Sequence, residues 1–283
     1  MDIDRRTAMA AVMVAGVAVA APPALAMGRA SRLDFSKPQD RLRAFILMRG
    51  ALDGRLVISW ASARYYGVVD DQVEPVYGVT SAVFARFRPL ADGGWETVNF
   101  ELAWFTDPQT GVVVESFRNP YTGKLVKVPS GGNAPSKLRY GADMTSHLAK
   151  PVPGLELKQD LLPFDVRGDD VWITERSDAK VTPPGQVKPL HFWESTTLHA
   201  RRSALDVAGA KQVASEVSFA STTSWRTWLE MGDRPGHLTA AGYGRTGASL
   251  ATLNPAWIDA TRARRPEVLR DPAAILAPLW DAK

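Results

Sequence analysis

Alternating apolar and polar positions run through most of the chain and predict β-strands. The clearest case lies between residues 95 and 106, where Val98, Phe100, Leu102 and Trp104 alternate with smaller or polar neighbours. A period of two is typical of a strand whose two faces meet different surroundings. Similar runs occur at residues 56–60, 76–88, 171–176, 191–202, 213–224 and 237–243.

Two turns of one design follow the clearest strand. Residues 107–111 and 119–123 each open with Asp or Asn, continue with Pro and end with Gly. The first side chain can bond the backbone two residues on, Pro sets φ, and Gly accepts a positive φ. We therefore expect a strand from Val112 to Arg118 and an antiparallel meander across residues 95–128.

Helices are predicted only near the two ends. Ser36 and Gln39 have the capping-box spacing, which predicts a helix at about residues 37–48. Asn254 and Asp271 each precede a proline and predict two helices before the C-terminus. The polar, Gly- and Pro-containing stretch at 130–154 is interpreted as a functional loop or a flap over one end of the fold.

These elements define the expected fold class. Strand–helix–strand alternation is missing, which excludes a parallel sheet. The prediction is mainly β: a single antiparallel β-barrel of about eight to ten strands, lipocalin-like or related, with short N- and C-terminal helices. A two-sheet sandwich is the alternative. The barrel is favoured because several strands carry polar or aromatic residues on both faces, as the wall of a cavity would.

The N-terminus has the features of an export signal. Arg5 and Arg6 precede an uncharged apolar run from Ala8 to Ala21, and small residues at 24–26 suit cleavage. The paired arginines indicate the twin-arginine type, with an ordinary secretory signal as the alternative. We expect residues 1–26 to be removed, no stable membrane anchor after cleavage, a single domain over residues 27–283, and a periplasmic location.

The composition limits the kinds of catalysis and binding that the chain can perform. The chain has no cysteine, which excludes thiolate catalysis and cysteine-ligated metals. The net charge of +4 over 283 residues is too dilute to indicate nucleic-acid binding. The sequence contains no nucleotide, haem or metal motif, so we expect no cofactor and no metal. A homodimer is compatible with the sequence.

Three segments resemble a bacterial family known as domain of unknown function 1838. They are DGRLVISW at 53–60, FRNPYTGKLVKVP at 117–129 and WRTWLEMGDRPG at 225–236, and the likeness extends over about residues 42–265. The chain departs from the family pattern after Pro129, where a His is expected before Asn133. The resemblance implies export and one β-rich domain, and it implies no particular reaction.

Four residues are the candidate catalytic groups. His199 shares a strand face with Arg201, which favours a neutral imidazole able to act as a base; a hydrogen-bonded wall histidine is the alternative. Glu101 lies opposite the apolar face of its strand, so it faces either solvent or a polar cavity. Arg226, between two tryptophans, and Tyr65 complete the set.

A further group consists of aromatic and polar residues expected to bind substrate. It comprises Trp60, Tyr66, Arg118, Tyr121, Asn133, His191, Trp193, Trp225 and Trp228. His191 and His199 share a face but lie about 27 Å apart along an extended strand, which excludes a shared metal.

The preferred hypothesis is an exported, cofactor-independent enzyme. It would perform a lyase, isomerase or hydrolase step on a small aromatic or apolar molecule inside the barrel. The alternative is a non-catalytic periplasmic carrier of the same fold, and a third hypothesis is an envelope scaffold with a filled barrel. Two or more ionisable groups converging in one cavity would favour catalysis.

Overall fold

The computed structural model describes residues 32–129, 131–132, 134–150, 154–182 and 189–282. The predicted export signal, residues 1–26, and the candidate binding residue Asn133 lie outside the described residues.

Strands are the main secondary structure of the described chain. The strands are β1 Val57–Val69, β2 Gln72–Pro89, β3 Trp95–Thr106, β4 Ser116–Arg118, β5 Leu125–Lys127, β6 Ser136–Tyr140, β7 Thr145–Leu148, β8 Leu155–Leu161, β9 Asp165–Arg167, β10 Asp170–Val181, β11 Leu190–Arg201, β12 Glu216–Thr223 and β13 His237–Ala248. The helices are α1 Pro38–Arg49, α2 Arg202–Leu205, α3 Pro255–Arg264, α4 Pro266–Arg270 and α5 Pro272–Trp280.

Ten strands close into one antiparallel barrel. Their order is β11-β12-β13-β1-β2-β3-β6-β7-β8-β10, and β10 pairs back with β11 to complete the circle. The short β9 pairs with the first residues of β10. The mainly β barrel predicted from the alternating pattern is confirmed, and its strand number lies within the predicted range.

The predicted meander across residues 95–128 is wrong beyond its first strand. The two turns form as expected, with positive φ at Gly111 and Gly123. However, the predicted strand at 112–118 is not continuous. Val113 forms an isolated antiparallel bridge with Thr106, and only residues 116–118 form a strand, which pairs with β5 in a separate two-stranded sheet. Val112 remains 60% exposed, so alternation in this segment does not mark a core-facing strand.

The predicted flap at 130–154 is also corrected, because it contains two barrel strands. β6 pairs with β3, and β7 pairs with both β6 and β8. In β6 only Leu138 and Tyr140 are apolar, while Lys137 and Arg139 form ion pairs with Glu96 and Asp92. So short and polar a strand resembles a loop in sequence.

Helices α1, α3 and α5 lie where the sequence predicts them, whereas the short α2 and α4 were not predicted. Asn254 and Asp271 cap α3 and α5 through their side-chain oxygens. The capping box at the start of α1 is wrong: no side chain caps this helix, and Ser36 instead donates to Asp34 Oδ1. Helices α3 to α5 pack on the outer face of β2 and β3 through a cluster that includes Trp257 and Leu276.

Candidate functional site

Two plugs close the ends of the barrel. Helix α1 fills one end, where Phe45 and Ile46 are fully buried against the inner ends of the strands, including Ile173 and Leu198. Residues 225–236, which we call the cap, cover the other end, where Leu229 is fully buried among Tyr77 and Leu238. The space between the two plugs is the lumen.

The cap is fixed by a second segment of the chain. The buried Asn119 donates from Nδ2 to the backbone oxygen of Leu229 at 2.7 Å, and also lies 3.2 Å from Met231 Sδ. Its Oδ1 accepts from the backbone nitrogen of Tyr121. Two of the motifs identified in the sequence, at 117–129 and 225–236, therefore form one structural unit over the barrel end.

The lumen contains two adjoining chambers. The upper chamber, towards the cap, has a volume of about 200 Å³ and is lined by residues that include Tyr65, Ser81, Glu101 and Phe219. The lower chamber, towards α1, has a volume of about 180 Å³ and a mainly polar wall. Arg49, Val83, Glu194 and Thr196 line both chambers. The two form one space near the lower end of the usual size range of ligand pockets, about 300 Å³ upward.

Strand alternation explains why Glu101 points inward. The apolar face of β3 is outside the barrel, where Phe100, Leu102 and Trp104 pack against the C-terminal helices. Trp257 Nε1 donates to the Leu102 carbonyl oxygen at 2.8 Å and fixes that contact. The opposite face, with Glu101, is therefore turned into the lumen. Of the two environments that the sequence allowed for Glu101, the structure has the polar cavity.

Glu194 reaches the same chamber from β11. On this strand the even-numbered residues face the lumen, whereas His191 and Trp193 are exposed on the outer face. Glu194 stands opposite Ser177 of β10 and Ser221 of β12. The buried hydroxyl of Ser221 lies close enough to the Glu194 carboxyl to favour its charged form.

The barrel interior changes the proton affinity of both carboxyls. Desolvation raises the pKa of Glu101 above its ordinary value of 4.5, an effect that the Ser81 hydroxyl and the Arg49 charge partly offset. Desolvation also raises the pKa of Glu194, and the negative charge of Glu101 raises it further, while Arg226 and Ser221 oppose the rise. Two enclosed carboxyls that influence each other in this way suit an acid–base pair.

Two arginines flank the carboxyl pair. Arg49, the last residue of α1, lies with its Nε 3.7 Å from Glu175 Oε2, and Tyr140 donates to the other oxygen of Glu175 at 3.0 Å. Arg226, in the cap, stacks over the Phe192 ring with its Cζ 4.1 Å from the ring centroid. Each arginine brings a positive charge to one side of the chambers.

The phenols near Arg226 stay protonated. The rings of Tyr65 and Tyr77 stack with centroids 4.7 Å apart. Burial raises the pKa of each hydroxyl well above its ordinary value of 10.0, and Arg226 offsets part of the rise. They can therefore donate hydrogen bonds to a ligand near the cap.

The structure brings three of the four predicted catalytic residues together. Glu101 and Tyr65 line the upper chamber, and the charge of Arg226, which lines the cleft beside the cap, acts on Tyr65 and Glu194. His199 does not join them, because it lies on the outer face of β11. Its Nε2 is 2.8 Å from Asp170 Oδ1, and its ring stacks on Trp172 at 4.9 Å. This arrangement matches the wall histidine that was the alternative interpretation.

Several predicted binding residues also lie outside the lumen. The Trp60 ring contacts Tyr243 edge to face at 6.1 Å, although Trp60 also borders the upper chamber. Tyr66 lines an outer groove. His191 and Trp193 line an open cleft beside the cap. Tyr66, His191 and Trp193 therefore line neither of the two chambers of the lumen.

The remaining predicted binding residues have structural contacts. Arg118 donates to the Gly123 carbonyl oxygen at 2.6 Å within its own hairpin. Tyr121 packs on Trp225 with ring centroids 5.5 Å apart. Trp228 packs on Tyr77 at 5.3 Å. They hold the cap in place.

Sequence reasoning missed Glu194, Arg49 and Glu175. Glu194 lies between Trp193 and Ser195, and the histidines that suggested chemistry on this strand lie on its opposite, outer face. Arg49 has the position of an ordinary helix C-terminal cation. The signal that could have separated the two faces of β11 is the odd number of positions between Glu194 and His199. On a strand, an odd separation places two side chains on opposite faces.

Neither a metal site nor a membrane-spanning helix is found in the part of the chain described. Within it, no group of three or more His, Asp or Glu side chains is arranged to hold a metal ion. None of its helices has the length and apolar character needed to cross a membrane.

Comparison with known proteins identifies the family. No curated protein and no solved structure shows a significant match to this chain. One family model, described as "Protein of unknown function (DUF1838)", matches residues 53–277 and thus includes all three motifs, both carboxyls of the upper chamber and the cap. The chain belongs to this DUF1838 family.

Proposed function

We propose that this protein is an exported, cofactor-independent enzyme that acts on a small, aromatic or otherwise apolar molecule in the barrel lumen. One observation carries the proposal: Glu101 and Glu194 line the same chamber, between Arg49 and Arg226. A carrier needs an apolar pocket with few polar anchors, whereas converging ionisable groups suit proton transfer.

The two carboxyls have different roles in this proposal. The pKa of each carboxyl is raised by burial, and a negative charge on Glu101 also raises the pKa of Glu194, so the loss of a proton from one carboxyl favours its retention on the other. One carboxyl is then the general base and the other the general acid. The reaction is a lyase, isomerase or hydrolase step in which a proton is removed at one substrate atom and delivered at another.

Arg49 and the tyrosines support that step. Arg49 borders both chambers and stabilises negative charge that develops on a substrate oxygen. The hydroxyls of Tyr65 and Tyr77 are protonated donors on the cap side. Val79, Val217 and Phe219 provide an apolar wall for the body of the substrate.

A non-catalytic carrier is the second candidate. The apolar wall of Val79, Val217 and Phe219 and the plugs at both ends favour it, because they would enclose an apolar ligand. A carrier releases its ligand unchanged, so chemical conversion distinguishes the two functions.

The test is conversion of compounds in a small-molecule extract of the source cells, followed by mass spectrometry. Wild type and Glu156→Gln, a matched change at an exposed strand position, are expected to convert the same compound. Glu101→Gln and Glu194→Gln are expected to convert it about 10²–10⁴-fold more slowly. Equal conversion by all four proteins, or no conversion at all, would reject the proposal, and a compound bound unchanged would favour the carrier.

Export is the second part of the proposal, and it is supported by Arg5, Arg6 and the apolar run after them. Replacing both arginines by lysine is expected to keep the full-length protein in the cytoplasm, as measured by cell fractionation. Unchanged export would favour an ordinary secretory signal.

A further inference from the structure

The lower chamber differs in chemistry from the upper one. Its wall carries the neutral polar side chains of Thr97, Asn99, Gln159 and Ser177. Arg49 and Glu175 also line it and lie next to each other. The chamber therefore combines hydrogen-bonding groups with a compensated charge pair.

One side of this chamber is held rigidly by its own hydrogen bonds. Ser146 Oγ donates to Gln159 Oε1, and Gln159 Nε2 donates to Ser177 Oγ, each at 3.2 Å. Tyr140 in turn holds Glu175. The hydrogen-bonding groups on this side already have partners within the protein, and they define the shape of the chamber.

The opposite side, on β3, has unused hydrogen-bonding capacity. Thr97 is fully buried, and its Oγ1 has no hydrogen-bond partner among the described residues. Asn99 uses its Oδ1 to accept from Ser136 Oγ at 3.2 Å, which leaves its amide hydrogens for another group. Buried polar groups without partners are uncommon in folded proteins, and such groups beside a cavity indicate that a ligand or water completes them.

The charges around the chamber select against a charged ligand group. A carboxylate in the lower chamber would lie beside Glu175, with Glu194 also at its edge. An ammonium group there would lie beside Arg49, which is already next to Glu175. A neutral group avoids both repulsions and can still bond to the unused side of β3.

We infer that the lower chamber is a separate subsite that binds a neutral carbonyl- or hydroxyl-bearing tail of the ligand. The apolar body of the same ligand lies in the upper chamber, against Val79 and Phe219. The inference rests on one part of the proposed function, namely that a small molecule occupies the lumen. It makes the substrate an uncharged molecule with one apolar and one polar end.

Three matched probes test the charge selection: benzamide, benzoate and benzylamine, with binding measured by calorimetry. Benzamide is expected to bind wild type at least about tenfold more tightly than either charged probe, because a charged group loses more solvation on entering the lumen. A crystal structure of the benzamide complex is expected to show the amide within hydrogen-bonding distance of Asn99 and Thr97.

Variants on β3 test the subsite. Asn99→Leu and Thr97→Val are each expected to raise the Kd of benzamide about three- to tenfold through the loss of one hydrogen bond. Thr222→Val, on the exposed face of β12, is the matched control and is expected to leave the Kd unchanged. Thermal midpoints measured without ligand identify any variant that is merely unfolded.

The inference is overturned if a charged probe binds as tightly as benzamide, if benzamide fails to bind, or if the lower chamber of the complex holds only water. Because these measurements need no turnover, they are independent of catalysis. Glu101→Gln is expected to slow conversion about 10²–10⁴-fold and still bind benzamide. A protein that binds benzamide in the lower chamber and converts nothing would reject the enzyme and keep the subsite.

Discussion

The paired carboxyls of the upper chamber link proton binding to folding. A raised pKa in the folded protein means that Glu101 and Glu194 hold their protons more tightly there than in the unfolded chain. The resulting stability is complete below the ordinary pKa of 4.5 and is lost as the pH rises through the folded-state values. Each unit by which a pKa is raised corresponds to about 1.4 kcal/mol at high pH.

Replacing either carboxyl by an amide is therefore expected to stabilise the protein above neutral pH. Glu101→Gln and Glu194→Gln should raise the thermal midpoint at pH 8 and have a smaller effect at pH 4.5, because an amide does not ionise. Scanning calorimetry across this range measures the difference. Glu156→Gln, at an exposed site, should change the stability by no more than about 0.5 kcal/mol at either pH. A pH profile of the two lumen variants that parallels wild type would contradict this account of the pair.

Tyr140 provides a second test at single-residue scale. Its buried hydroxyl donates to Glu175, which also lies beside Arg49. Tyr140→Phe is expected to lower the free energy of unfolding by about 1.5–3 kcal/mol, as for other hydrogen bonds to charged groups. Denaturant titration provides the measurement. Tyr243→Phe, at a residue that is 67% exposed, is the control; equal effects of the two changes would show that the Tyr140 hydroxyl contributes nothing specific.

Single residues also show how far the sequence predicts the site. The inward direction of Glu101 was one of two possibilities, and only the helices on the outer face of β3 decide between them. On β11 the candidate His199 and the functional candidate Glu194 lie on opposite faces. Alternation divides the residues of β11 between two faces but does not show which face lines the lumen, because both faces contain polar and aromatic residues.

At the scale of elements, the cap is the part whose attachment can be tested most directly. Asn119 holds its backbone at Leu229 from another segment of the chain. Asn119→Ala leaves the Leu229 carbonyl without its partner and is expected to cost about 1–3 kcal/mol. Hydrogen exchange of residues 225–236 is expected to accelerate while that of β1 and β2 stays unchanged.

The control for this change is Lys127→Ala, at an exposed position of β5. It is expected to leave exchange in the cap as in wild type. Uniform acceleration across the whole barrel in Asn119→Ala would mean that the cap is not a separate unit of stability.

Elements differ in how well their sequence predicts them. The long strands were predicted because their apolar and polar positions alternate over many residues. Helix α1 was predicted from a capping-box spacing, and the helix forms although no side chain caps it. Strands β6 and β7 were interpreted as a flap, since each is short and largely polar on its outer face. Their strand character depends on hydrogen bonds to β3 and β8, which are distant partners that a local pattern does not contain.

At the scale of the whole molecule, the barrel isolates its interior. Strand closure removes open sheet edges, α1 fills one end, and the cap covers the other. Desolvation by this enclosure raises the proton affinity of the two carboxyls. The closed architecture therefore produces the raised pKa values on which the proposed chemistry depends. The pattern of the sequence predicted the barrel but not its plugs, because a plug is defined by packing between distant segments.

The most direct measurement is a high-resolution structure of the mature protein purified from its native compartment, examined for a bound molecule in the lumen. We predict a small molecule within hydrogen-bonding distance of both Glu101 and Glu194, with its polar end in the lower chamber. A lumen filled only by side chains and water, with a bound molecule on the outer face near His199 instead, would contradict the account.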